Sequence, residues 1–193
     1  VKNRLMVSTN ICLKIVEFLF MPQASASSVS KSSERRSPSL VSPLSVLQRF
    51  RVLIRTAQRH SQWIERQSGV TGAQLWALQE LFEEPGLRVG ELAKRMALHQ
   101  STASNMIDKL ESSGLVSKER TSVDQRVVRL SLTEAGRDLL ARAPSPARGV
   151  LPEALRLLDE EKLWRLQGEL DELLQQIKDL DEGFGMQPLP FTE

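Results

Sequence analysis

Residues 90–133 read GELAKRMALHQSTASNMIDKLESSGLVSKERTSVDQRVVRLSLT. Two short stretches of helical spacing flank a tight connection, and the period then changes to two. Leu92, Ala93 and Met96 are the apolar positions of the first stretch. Ala103, Met106, Ile107 and Leu110 form an i, i+3, i+4, i+7 stripe in the second, the spacing that places side chains on one helix face. Ala97-Leu98-His99-Gln100 is the connection, and Gly114 is a C-terminal stop. Residues 115–120 and 127–132 read as strands, with Val128, Leu130 and Leu132 on one face of the second. Helix, tight turn, helix and hairpin in that order predict a winged helix-turn-helix. The fold class expected is mainly α with a small β-hairpin wing, joined to a helical dimerisation region.

Upstream, Leu47, Phe50, Ile54, Ala57 and Trp63-Ile64 recur at helical spacing from about Pro43 to Gly69. Thr71 is a good N-cap for a second helix carrying Leu75, Leu78, Leu81 and Phe82, which Pro85-Gly86 ends. Downstream, Thr133 caps a helix that reaches about Ala143, and Glu134 in its first turn suits the helix dipole. Pro144, Pro146, Gly149 and Pro152 are read as breaking the chain. A last helix is expected over about 159–180, with Leu163, Leu166, Leu170, Leu173, Leu174 and Ile177 in one stripe. The boundaries that follow are 1–42, a disordered or mobile extension; 43–70, a first dimerisation helix; 71–133, the winged lobe; 134–182, C-terminal dimerisation helices; and 183–193, a mobile tail.

Residues 1–42 differ in kind. An apolar run at Ile11–Phe20 is interrupted by Lys14 and Glu17 and is too short to span a bilayer. Ala24-Ser25-Ala26 resembles a signal-cleavage site only superficially, and Met21 is an alternative start. The Ser- and Pro-rich stretch after it reads as disorder. No membrane association is expected.

Composition bounds the function. Net charge is only +2, but it is unevenly spread: residues 85–149 hold 11 Lys+Arg against 7 Asp+Glu, and residues 150–193 hold 4 against 11. Such asymmetry gives a basic part that can meet phosphate and an acidic part that faces elsewhere. Cys12 is the one cysteine, so an intrachain disulfide is excluded and a reducing, cytoplasmic setting fits. With His60 and His99 the only histidines, a Cys/His zinc site is not available. There is no Gly-rich phosphate loop and no plausible Ser/His/Asp set. Neither enzymatic activity nor a cofactor is expected.

The candidate site is the second helix of the pair. Gln100, Ser101, Thr102, Ser104, Asn105 and Lys109 lie on its start and outer side. Gln and Asn can make paired hydrogen bonds to adenine, and hydroxyls suit bases or phosphates. The same pattern also fits a plain amphipathic surface helix. Arg120 and Arg126 flank the hairpin tip, where an arginine can enter the narrow minor groove, and Asp124 can pair with one of them to shape the tip. A plain exposed hairpin has a similar composition.

Joined together, these segments resemble the MarR family of bacterial regulators. Residues 124–133 (DQRVVRLSLT) followed by Glu134-Ala135-Gly136 are similar to its wing signature. Residues 90–96, 100–116 and 71–78 resemble its helix-turn-helix and the helix before it. The resemblance covers roughly residues 45–180. It implies a homodimer built by the first and last helices, a pseudo-palindromic operator in double-stranded DNA, and repression of its own or a neighbouring gene. It also implies release by a small aromatic effector bound between the dimer helices and the winged lobe. His60, Trp63 and Trp76 are candidates to line such a pocket, and core packing is the other reading of each. Two features depart from the family. Asn105 stands where many members carry Arg, and Cys12 lies too far upstream to match the reactive cysteine of peroxide-sensing members. A winged-helix module that binds protein without reading DNA sequence is the alternative function.

Overall fold

A computed structural model describes residues 41–120 and 128–192. The expected extension with Cys12, and the hairpin tip with Asp124 and Arg126, lie outside the described residues, as does the side chain of Arg120. The fold is mainly helical with a two-stranded antiparallel hairpin.

Helix α1 spans Pro43–Ser68. Pro43 suits a helix start, because its missing N–H would have no partner there anyway. Ser42 and Ser45 exchange side-chain-to-backbone hydrogen bonds of 3.1 and 3.2 Å at this end. Gly69, at φ 73°, ends the helix in the left-handed region. The chain divides into two compact units at Arg55/Thr56. In the first, Leu44, Leu47, Val52, Leu53 and Ile54 are exposed. In the second, α1 buries Ala57, His60, Ser61 and Ile64 along one face.

The second unit holds the core. Helix α2 (Gly72–Glu83) is opened by a reciprocal cap: Thr71 Oγ1 accepts the Gln74 N–H at 3.3 Å, and Gln74 Oε1 accepts the Thr71 N–H at 2.9 Å. Leu75, Leu78 and Leu81 are buried as expected, but Phe82 is 56% exposed. It sits in the last turn, where residues 82–85 all leave the core. Helix α3 (Val89–Arg95) buries Leu92 and Ala93 and is started by Glu91, whose carboxylate accepts the Arg88 N–H at 2.7 Å. The turn to the next helix is tight because Ala97 adopts φ 52°. The Ala97 N–H meets Lys94 O and the Leu98 N–H meets Ala93 O, the pairing that ends helices with a left-handed residue.

Helix α4 (Gln100–Ser112) buries Ala103, Met106, Ile107 and Leu110, the stripe read from the sequence. Gly114 (φ 71°) closes it in the same way. Strands β1 (Val116–Arg120) and β2 (Val128–Leu132) pair with Val116 opposite Leu132 and Arg120 opposite Val128. Leu115 belongs to the helix stop, since its N–H is spent on Leu110 O. On its other edge β2 is tied to the α2–α3 connection: Leu130 donates to Leu87 O, and its own carbonyl accepts from the Gly86 N–H, both at 2.9 Å.

Helix α5 (Glu134–Arg142) starts on Thr133, whose hydroxyl accepts the Gly136 N–H and donates to Gly114 O at 2.7 Å. The helix lies so close to the α4–β1 junction that a Cβ at Gly136 would stand 2.1 Å from the Leu115 carbonyl oxygen.

The region read as broken by prolines contains a helix, α6 (Val150–Arg156). Pro152 falls in its first turn, where backbone N–H groups have no intrahelical partner, so the ring is tolerated. Helix α7 (Glu160–Gln175) follows, capped by Asp159, and stops short of the expected 180. Every one of its residues is exposed, including Leu163, Leu166, Leu170, Leu173 and Trp164, the last at 75%. The segment after Gly183, expected to be loose, instead packs on the lobe: after a 3-10 turn (Glu182–Met186), it makes backbone hydrogen bonds to α2 and to the start of α4. No helix among the described residues is long and apolar enough to cross a membrane.

Candidate nucleic-acid interface

The apolar side of α4 is sunk in the core, so its polar side is what remains available. Gln100, Ser101, Asn105 and Lys109 are exposed, while Thr102 and Ser104 are half-buried. The edge open to a partner is therefore narrower than the six residues singled out in the sequence. A duplex needs side chains that reach base edges without bulk, and Ser101 and Asn105, four apart, lie on one such edge.

Asp108 shares this side of α4, and sequence reasoning missed it. A bare carboxylate facing phosphates would repel them. Lys118 on β1 contacts Asp108 closely and also bonds Glu111 at 2.8 Å. Its ammonium is held above the usual lysine range by the hydrogen bond to Asp108, then by that to Glu111. The pairing offsets one of the two negative charges it touches on α4 and braces the first wing strand against the helix. An acidic residue at 108 and a basic one at 118 are visible in the sequence, but only strand register and helix phase bring them together.

On β2, Arg129 is exposed and donates to the Gly86 carbonyl at 3.2 Å, so it supports the α2–α3 connection. Of the wing arginines, Arg126 and the side chain of Arg120 lie outside the described residues.

A second feature lies behind α4. A cavity of about 170 Å³ is lined by α1, the start of α2, the Met96–Leu98 turn, residues 148–152 and the C-terminal segment. His60 and Trp76 line it, and Trp63 does not. His60 is buried; its Nε2 donates to the Pro146 carbonyl at 3.0 Å, and the Trp63 ring stands edge-on at 5.7 Å. Burial pushes the imidazole pKa down, against a smaller upward pull from the Pro146 carbonyl.

Trp76 is fixed by donating its indole N–H to Glu80 Oε1 at 2.8 Å. Glu80 is itself buried and is reached by Arg148 Nε at 2.7 Å and by Arg95 at 3.5 Å. Both terminal nitrogens of Arg148 are taken by Glu83, at 2.9 and 2.5 Å. Burial alone would lower the Arg148 pKa, but its bonds to Glu83 and Glu80 hold it raised. The Glu83 carboxyl is held below its usual range, first by Arg148. This cluster around Glu80 was not singled out from the sequence. Nothing in local spacing links residue 148 to residues 80 and 83.

Comparison with known proteins adds the following. The sequence pattern of the MarR family matches residues 70–128. The HTH-type transcriptional repressor MdtR of Bacillus subtilis (strain 168) is 34% identical over 95 residues, which is 49% of this chain and 61% of that protein. The transcriptional regulator HosA of Escherichia coli O111:H- is 29% identical over 129 residues, 66% of this chain and 90% of the other. Among solved structures, a MepR-like protein complexed with pseudoligands superposes with a TM-score of 0.51 at 23% identity, covering 68% of this chain and 92% of that one. That likeness is one of fold.

Proposed function

We propose that this chain, whose residues 70–128 match the sequence pattern of the MarR family, is a homodimeric, sequence-specific DNA-binding regulator acting as a ligand-responsive repressor. The observation that carries this reading is the exposed polar edge of α4, with Gln100, Ser101, Asn105 and Lys109 open and the nearby Asp108 paired with Lys118 of β1. In this reading α4 enters the major groove. Gln100 and Asn105 read bases, Ser101 and Lys109 meet the backbone, and Thr102 and Ser104 contribute at the margin. Arg120 and Arg126 flank the wing tip beside the minor groove, with Asp124 shaping it. The names of the relatives, a repressor and a regulator, agree with this assignment.

Dimerisation is supported by the unburied face of α7. Leu163, Leu166, Leu170 and Leu173 form an apolar stripe of the kind that water-exposed monomers rarely leave open. Leu44, Leu47 and Ile54 at the start of α1 are exposed in the same manner. Two α4 helices held about 34 Å apart would fit successive major grooves of a pseudo-palindromic operator. The cavity bearing His60 and Trp76 is the proposed effector site, and Trp63 supports it through its contact with His60. The operator is proposed to control the chain's own or a neighbouring gene in the cytoplasm.

Selection of bound fragments from a random DNA pool tests the reading. The expected result is an enriched inverted repeat with half-sites about ten base pairs apart. Asn105→Ala should change the enriched half-site more than it changes non-specific binding. Enrichment of no sequence, with affinity set by salt alone, would favour a protein-interaction module instead.

A further inference from the structure

The C-terminal segment forms one wall of the cavity without being part of the core. The Met186 carbonyl accepts the His99 N–H at 2.9 Å, and the Thr192 carbonyl accepts the Ala73 N–H at 3.0 Å. Both donors stand at helix starts, where N–H groups have no partner inside the helix. His99 is the N-cap of α4, so this bond sits directly before Gln100, a proposed base reader, and Ser101, a proposed backbone contact. Between the two anchors, Pro188, Leu189 and Phe191 supply one wall of the cavity.

The segment is lightly held. Pro188 and Phe191 are half-buried, Leu189 is 45% exposed and Met186 39%. Leu75, Leu78 and Leu92 in the adjoining core are wholly buried. Segments with few buried contacts open locally far more often than the core unfolds.

The cavity's charge indicates what could open it. Arg148 is the one cationic side chain among its described lining residues, burial disfavouring the charged form of His60, and its guanidinium is committed to Glu80 and Glu83. A carboxylate placed there would have no uncommitted counter-charge and would lose its hydration. A ring without charge would lose nothing comparable.

We propose that Gly185–Thr192 is a displaceable strap over the cavity, and that an uncharged aromatic molecule competes with it and thereby unfastens the start of α4. The inference rests on the proposed effector site and adds its gate and the ligand's lack of charge. Ligand binding favours the strap-open state by as much as it prefers that state. Releasing Met186 leaves the His99 N–H to water, next to the residues that would face DNA.

The test uses the full chain, with 1-naphthol as the uncharged probe and 1-naphthoate as its charged counterpart, and follows single-residue amide exchange by NMR. Saturating 1-naphthol is expected to speed exchange at Ala73 and His99 about tenfold while leaving Leu110 unchanged, as for a local opening. 1-Naphthoate is expected to bind at least about tenfold more weakly, having no uncommitted counter-charge. Phe191→Ala, without any probe, should speed the same two amides. A chain ending at Asp181 should bind 1-naphthol several-fold more tightly. Unchanged exchange at both amides in the bound state and in Phe191→Ala overturns the strap. So does weaker naphthol binding by the shortened chain, which would make the segment a supporting wall. Failure of naphthol to bind either chain, or preference for naphthoate, overturns the ligand class. None of these readouts uses DNA, so a gel shift on the same protein separates failure of the strap from failure of the DNA-binding reading.

Discussion

Gly136→Ala sets two physical effects against each other. Helix propensity alone favours the substitution, by at most about 1 kcal/mol. The structure reverses the sign. The new Cβ would stand 2.1 Å from the Leu115 carbonyl oxygen, a backbone atom that cannot swing aside. Helix α5 must therefore lift from the α4–β1 junction. That movement strains the Thr133 cap, worth about 1 kcal/mol. It also pulls on the 3.1 Å bond from the Thr133 N–H to Leu115 O, about another 1 kcal/mol. Forcing a carbon into a filled site costs about 1–3 kcal/mol more. With the propensity gain subtracted, a loss of about 2–4 kcal/mol is expected. Urea unfolding at fixed protein concentration reads it as a midpoint lowered by about 1–2 M, for a slope near 2 kcal/mol per M. A variant as stable as the parent, or more stable, would refute the close approach and the placement of α5 with it.

Three further outcomes are expected. Lys118→Ala uncovers Asp108 and should weaken operator binding about tenfold, and adding Asp108→Ala should restore most of the loss; equal losses in both variants would mean that Lys118 touches phosphate directly. The His60 pKa is lowered in the fold, so above about pH 6.5 both states are neutral and nothing is lost. Below that the unfolded chain takes up a proton that the folded one refuses, and stability falls by up to about 1.4 kcal/mol per pH unit until the folded pKa is passed. An NMR titration that places the ring at or above 6.5 contradicts this. Ala97→Gly relieves a left-handed backbone and should add roughly 0.5 kcal/mol, the relief being partly offset by unfolded-state entropy; a lower urea midpoint would count against it.

The sequence made the winged lobe legible because its signals are local. The Ala103–Leu110 stripe, the Thr71 and Thr133 caps and the stop at Gly114 each depend on neighbours within a few residues. What it hid depends on distance along the chain or on position within an element. Pro152 reads as a breaker unless it is known to fall in a first turn. Phe82 keeps the spacing of a core residue but lies where α2 leaves the core. Asp108 becomes tolerable on α4 only through Lys118, and Arg148 finds Glu80 and Glu83 across nearly seventy residues. Docking of residues 185–192 was equally out of reach, since main-chain hydrogen bonds leave no mark on residue type.

The Glu80 carboxylate has a consequence for how such a protein can change over time. It is shared by an indole from α2, a guanidinium from the end of α3 and another from the segment leading into α6. Replacing it alone would strand Arg148 with only Glu83, and replacing Arg148 alone would leave an acid in the interior held by Arg95 and Trp76. Neither single step is neutral, because a buried ion stripped of its partner is heavily penalised. Descendants of this chain are therefore expected to keep Glu80 and Arg148 together or to exchange both for apolar side chains of similar bulk, which makes paired substitution at 80 and 148 the trace to seek among diverging copies.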